Sequence, residues 1–299
     1  MDYEELTEEQ IEYTNYEEEL TRYILEEQQK QIEEIKKEQD KSKDYLFLYL
    51  LELIKDYNVS GDGLLELDDN IITDILNKVN KKIDKELLKE KKKETKMIDK
   101  LLNNTIVQGY YLNSFLTSLG NKDYVTTKIS DNIKDKILNE KIDNKTYIER
   151  INKNKDTIYN NLKDTIKSFI NGTISFAILK KQININSDVN KFYSDRLAND
   201  QTSRKYNQSK MQWLKDNKVK KKLLNCRFCN SCEDCKADHH RIFDMDDNTI
   251  VLPRHVRCMC FWSNINVYDW NYKGNISLKD FTEWLGDNTL GDDENVKFR

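Results

Sequence analysis

All six cysteines and all three histidines of this 299-residue chain lie between residues 226 and 260. The first group is Cys226-x-x-Cys229-x-x-Cys232-x-x-Cys235, and the second is His255-x-x-Cys258-x-Cys260. Two residues between cysteines let both thiolates reach one tetrahedral ion, and a pair followed by a short β segment and a second His/Cys group is how small structural zinc sites are built. The metal there replaces part of a core that so short a segment cannot supply. The set expected to hold one zinc is Cys232, Cys235, His255 and Cys258. Cys226, Cys229 and Cys260 stand as further candidates. Cys260 either replaces one of the four or packs as a small apolar residue on a strand, and Cys226 and Cys229 either help a second metal or are spare. His239 and His240 sit between the groups and are expected to be solvated or hydrogen-bonded rather than ligating.

Other fates of these cysteines give different chemistry. They can persist as reduced thiols without metal, or form disulfides in an oxidising setting. A catalytic zinc needs three ligands, an open position and a general base, and Glu233 and Asp234 lie inside the knuckle, poorly aimed for that role. The expectation is synthesis in a reducing cytoplasm, where clustered cysteines hold metal. No Gly-rich cradle, nucleophile–base pair or other catalytic constellation is visible, so no catalytic residue is assigned.

The elements that must position this cluster are mostly helical. One proline and eight glycines in 299 residues leave little material for the turns of an all-β fold. The fold class expected is mainly α, with elongated N-terminal helices, a helical body and a small C-terminal α+β subdomain resembling a zinc knuckle. The segments expected are an N-terminal helical region over 1–125, a helical part over 126–222, a Cys/His-rich β subdomain with a final helix over 223–286, and a mobile tail over 287–299. Residues 4–44 predict one helix with a narrow stripe of Leu6, Tyr13, Leu20, Ile24, Ile32 and Ile35, suited to packing on a partner or projecting from the body. A second helix is expected over 44–57 and one or two more over 68–119. Shorter helices follow at about 129–139, 145–152 and 154–171, then a continuation through "SFAILKKQ" and another helix over 188–215. The segments "RIFDMDDNTIVLP" and "CMCFWSNINVYDWNYKG" predict a hairpin or small sheet. Ser277 and Asp280 predict a capped last helix over about 277–286.

"DYNVSGDGLLELDD" (56–69) places Asp56, Asn58, Ser60 and Asp62 at the spacing of a calcium loop, but Leu67 stands where the bidentate Glu belongs. The expectation is a glycine-rich turn before an Asp-capped helix. Charge is uneven around a net −4: residues 78–100 hold ten lysines against five acids, and 204–222 hold eight basic residues against Asp216 alone. A mildly acidic whole argues against a dedicated nucleic-acid binder. The acidic N-terminus lacks an apolar h-region, and the longest apolar runs are too short to span a bilayer, so no membrane partner is expected.

With these residues in place, the C-terminal third resembles the Mu F-like head morphogenesis family of tailed phages, also called minor capsid or minor head proteins. "CEDCKADHHRIFDMDD" is similar to the family's C-x-x-C followed by an aromatic and an acidic residue. "LPRHVRCMC" is similar to its proline and H-P-x-C-R-C, with Val256 and Met259 replacing the usual Pro and Arg. "DRLANDQTSRKYNQSKMQWL" is similar to its signature helix through Arg196, Tyr206, Asn207 and Trp213. The Arg-Thr-Glu triplet of that helix falls on Asn199, Asp200 and Gln201, and the glycine usual after the cysteine pair falls on His240. The match covers about 130–265.

The resemblance implies a structural, non-enzymatic component, made in the host cytoplasm and built into the capsid interior of the virion. It would be bound to the portal protein and active in head assembly, with effects on DNA retention or ejection. Major capsid or scaffolding protein and packaged DNA, touched without sequence specificity through the basic segments, are the further partners implied. Two alternatives come from other classes. One is an ADP-ribosyltransferase-like effector on a related scaffold, against which the missing Arg and Glu speak. The other is a zinc-knuckle nucleic-acid-binding protein, with Phe228 and Phe243 stacking on bases.

Overall fold

Long stretches free of proline and glycine let three helices grow well beyond the usual length of about 11–12 residues. The structure is a computed structural model and describes residues 6–226, 232–267 and 270–289. Seven helices and three strands are present among them: α1 (Glu8–Ile54), α2 (Asp69–Gly120), α3 (Asp131–Leu138), α4 (Tyr147–Ile170), α5 (Phe176–Asp216), β1 (Lys221–Asn225), α6 (Glu233–Ala237), β2 (Ile242–Asp244), β3 (Phe261–Asn264) and α7 (Leu278–Thr289). The chain is mainly helical with a small antiparallel sheet near its C-terminal end, as its composition predicts.

Several expected breaks are absent. The helices expected at 4–44 and 44–57 are one, α1, because nothing between residues 8 and 54 removes a backbone donor or favours a turn. It starts at Glu8; residue 4 lies outside the described residues. The pairs expected at 145–152 and 154–171, and around 174–181 and 188–215, likewise merge into α4 and α5. In α5 the weak helix formers Ser187 and Asn190 face inward and are buried, so tertiary contacts override their local preference. The tail differs as well: residues 287–289 complete α7, and 290–299 lie outside the described residues.

The stripe expected over 4–44 does not await a partner. Leu6, Tyr13, Leu20, Ile24, Ile32 and Ile35 are all buried within the chain itself.

Residue contacts group the chain into two units built from non-consecutive stretches, which cut across the serial segments read from composition. The first is Met1–Lys30, Lys100–Glu140 and Asn199–Arg299; the second is Gln31–Asp99 and Lys141–Ala198. Helices α1, α2 and α5 contribute a stretch to each.

The second unit is a helical core. Ile158, Leu162, Ile166 and Phe169 of α4, spaced by three and four, bury one face against Leu50 of α1, Val79 of α2 and Ile183 of α5. Across this unit runs a buried polar layer. Lys155 of α4, 1% exposed, lies 2.5 Å from Glu90 and 2.6 Å from Glu94 of α2. Asn190 of α5 accepts from Lys155 at 2.8 Å and donates to Glu90 at 2.9 Å. Ser194 donates to Glu94 at 2.7 Å, Gln39 of α1 donates to Glu94 at 2.8 Å, and the Tyr159 hydroxyl donates to Glu90. Residues 56–69 form the expected turn. Val59 bridges Leu65, Gly63 takes a left-handed φ of 83°, and the Ser60 hydroxyl accepts from the Leu64 amide at 3.0 Å.

The first unit holds the sheet. β1 is its central strand, antiparallel to β2 and to β3. Lys222 stands opposite Phe243 on one side and Asn264 on the other. The sheet's aromatic residues share one core with the helices: Trp262 and Phe261 are buried with Tyr13 of α1, Phe115 of α2, Tyr206 of α5 and Phe281 of α7. Ser277 and Asp280 cap α7 reciprocally, the Asp280 amide donating to Ser277 Oγ at 3.2 Å and the Ser277 amide to Asp280 Oδ2 at 2.8 Å.

Candidate metal centre

The described candidate ligands lie in or beside β1, α6 and β3, or in the turn before β3. Cys226 follows the end of β1 and is buried. Cys232 is the N-cap residue of α6 and half-buried, and Cys235 lies one turn into that helix and is 0% exposed. His255 and Cys258 share a tight turn in which the Cys258 amide donates to the His255 carbonyl at 3.1 Å. Arg257 allows that turn by taking a φ of 62°. Cys260 directly precedes β3, and both Cys258 and Cys260 are buried. None of these five cysteines is in a disulfide. Cys229 lies outside the described residues, as does Phe228.

The structure brings these side chains together as two triads that share Cys235. The ligand atoms of Cys232, Cys235 and His255 lie within 4.8 Å of one another, and so do those of Cys235, Cys258 and Cys260. Of the four residues expected to form one site, three therefore meet in the first triad, while Cys258 meets Cys235 in the second. Cys235 Sγ and His255 Nε2 are 3.6 Å apart. Two such donors on one tetrahedral zinc-sized ion would be separated by roughly 3.6 Å, so this spacing needs no rearrangement. His255 Nδ1 lies 3.0 Å from the Val256 carbonyl. With the proton held there, the Nε2 lone pair faces the sulfurs, the outer-sphere arrangement that fixes a ligating imidazole.

The sulfurs are electrostatically unequal. Cys258 is drawn down to about 5, first by a hydrogen bond from the Cys260 thiol and then by the backbone groups of Cys260 and Arg254. The Cys235 amide, bonded to Cys232, lowers that thiol too. Burial raises Cys235, and the bond with Cys226 raises Cys260. A cation that captures all of them must displace protons from the last two, so its affinity falls as pH falls.

Two layers of support hold this arrangement. Arg254 donates to the Asp234 carbonyl at 2.7 Å and pairs with Asp238, tying α6 to the His255 turn. From α5, Ser203 Oγ donates to the Cys258 carbonyl at 2.7 Å, and Asn207 Nδ2 donates to the Cys260 carbonyl at 2.9 Å. Asn207 Oδ1 accepts from the Trp262 amide at 3.3 Å. Asn207→Ala strands this buried pair of backbone groups and is expected to cost about 1–3 kcal/mol. Asn207→Asp keeps the size but turns an acceptor toward the Cys260 carbonyl and should cost at least as much. Equilibrium denaturation of the variants checks both.

His239 and His240 find other roles. His239 Nδ1 accepts from the Cys226 amide at 3.1 Å, and His240 Nε2 lies 3.4 Å from Glu18.

Some features near the centre carry no local signal in the sequence. The central strand β1, "KKLLN", was not expected; its alternation is interrupted because it is covered on both faces. Lys205, Lys210 and Lys222, three of the eight basic residues in 204–222, are buried rather than displayed. Lys210 is ion-paired with the equally buried Glu17, and Lys222 sits 4.5 Å above the Trp262 ring while donating to the Asp247 carbonyl at 2.7 Å. Burial pushes the Glu17 carboxyl up and the Lys210 ammonium down, against the attraction between them.

No described helix is long and apolar enough to cross a membrane. The cysteine clusters could hold a metal ion. Comparison of the chain with protein-family models, with curated proteins and with solved structures finds no match, so the reading of this centre rests on its own geometry.

Proposed function

We propose that this chain is a zinc-stapled structural component of a tailed-phage head, a minor capsid protein bound at or near the portal. The observation that carries this reading is a convergence. The three sequence pieces similar to the head morphogenesis family meet at one place: Asn207 of the signature helix braces the backbone at Cys260 and Trp262, beside the triads formed by the C-x-x-C and H-x-x-C-x-C pieces. A second observation supports it. His240, which stands where the family has glycine, takes a φ of 64°, the left-handed conformation for which glycine is the default.

Thiolate and imidazole donors at tetrahedral spacing suit Zn2+ better than a hard cation. Cys235, shared by both triads, would hold it together with Cys232 and His255 or with Cys258 and Cys260. The ion's part is to hold α6, the His255 turn and the start of β3 together; no bond of a substrate is broken there.

The alternatives gain nothing from the geometry. Phe243 is buried against Trp262, where it is not free to stack on a base. Within the other basic segment, Lys78, Lys89, Lys91 and Lys93 pair with the chain's own carboxylates. Arg196 is exposed on α5, and the residues aligned with the transferase-like triplet are Asn199, Asp200 and Gln201.

Quantitative mass spectrometry of procapsids and virions from the phage that encodes this chain tests the reading. The chain should be present at a copy number far below that of the major capsid protein, and should co-purify with portal protein from lysates that lack capsid shells. Absence from both particles overturns it.

A further inference from the structure

The geometry points to two metal ions in this centre, bridged by the Cys235 thiolate. This inference rests on the zinc reading above and adds a second ion to it. Six described residues offer donors: Cys226, Cys232, Cys235, His255, Cys258 and Cys260. One tetrahedral ion uses four. The six do not form one shell; five of them form two triads that have only Cys235 in common, and Cys226 lies in neither.

Cys235 is placed to serve both. On one side its sulfur contacts Cys232 and lies 3.6 Å from His255 Nε2. On the other side it contacts Cys260, which in turn bonds to Cys258 and Cys226. The second position is therefore lined by the three sulfurs of its triad, and Cys226, bonded to Cys260 from outside the triad, would supply its fourth donor. It is also buried, since Cys226, Cys235, Cys258 and Cys260 are each at most 3% exposed. The first position has three donors and an open side, because Cys232 is half-buried and His255 exposed. A solvent oxygen can complete its shell.

Charge supports the same arrangement. Two dications and five thiolates leave one negative charge in a buried place, which would be costly alone. Arg254 supplies the counter-charge, its guanidinium bonding to the Cys235 sulfur while anchored on the Asp234 carbonyl and Asp238. The competing arrangement puts one zinc on one triad and leaves the remaining thiols as small apolar side chains.

The full chain, expressed with added zinc and purified under reducing conditions, is expected to carry about two zinc per chain by elemental analysis. Exchanged into cadmium-113, it should show two NMR resonances, each split by the other through the shared sulfur. Cys226→Ser should lower the content to about one equivalent and remove one resonance; the native spectrum serves as the readout if that variant does not fold. Two unsplit resonances overturn the bridge. One equivalent in the native protein overturns the second ion and leaves the single-zinc reading standing, whereas none overturns both.

Discussion

Stripping metal from the reduced chain with a chelator at neutral pH is expected to unfold the first unit well beyond the cysteine segment. In small zinc domains the ion contributes on the order of 10 kcal/mol, and that binding energy is folding energy. Here the four buried sulfurs belong to the same core as Tyr13, Phe115, Trp262 and Phe281. Opening the triads therefore opens a face of that core and leaves the backbone partners of Ser203 and Asn207 without their geometry. Hydrogen exchange followed by mass spectrometry should show large rises over 8–30, 100–120, 199–226 and 232–289. Protection over 31–99 and 141–198 should change little. Cys232→Ser combined with Cys235→Ser should give the same pattern without a chelator. Protection that is lost only between 232 and 260 would mean the sheet is a separable module and the shared core contributes little. Unchanged protection everywhere would mean that no ion holds the centre.

The second large effect is expected in the other unit. Lys155→Met removes the buried cation paired with Glu90 and Glu94 and should destabilise the unit by about 3–5 kcal/mol, the usual cost of leaving a buried charge uncompensated. The loss comes from two carboxylates held in a low-dielectric core by neutral donors alone: Asn190, Ser194, Gln39 and Tyr159. Adding Glu90→Gln and Glu94→Gln to Lys155→Met removes that charge and should recover part of the stability. Urea titration with exchange readout over 31–99 and 141–198 separates this unit from the first, since two units need not melt together. A change below 1 kcal/mol in the single variant would show that water reaches the layer and screens it.

The buried layers explain why some of the surface reading did not carry over. Lys155, Lys205, Lys210 and Lys222 are written in the same alphabet as solvated lysines, inside segments whose charge runs look like exposed faces. What distinguishes Lys210 is Glu17, nearly two hundred residues away in sequence. No window of neighbouring residues contains that information.

The local features were legible because they are local. Helix content follows from the scarcity of proline and glycine and from the threes and fours of Ile158, Leu162, Ile166 and Phe169. The cap of α7 follows from Ser277 and Asp280, three residues apart. The cysteine and histidine spacing alone marked where metal chemistry belongs, because two intervening residues set how far apart two sulfurs can be. Tertiary structure decided the rest. It paired α1's narrow stripe with the chain's own core, placed "KKLLN" in the middle of a sheet, and sorted four sulfurs and His255 into two triads around Cys235. Those outcomes depend on which distant surfaces exclude water together, and burial of that kind is a property of the folded chain rather than of any stretch of it.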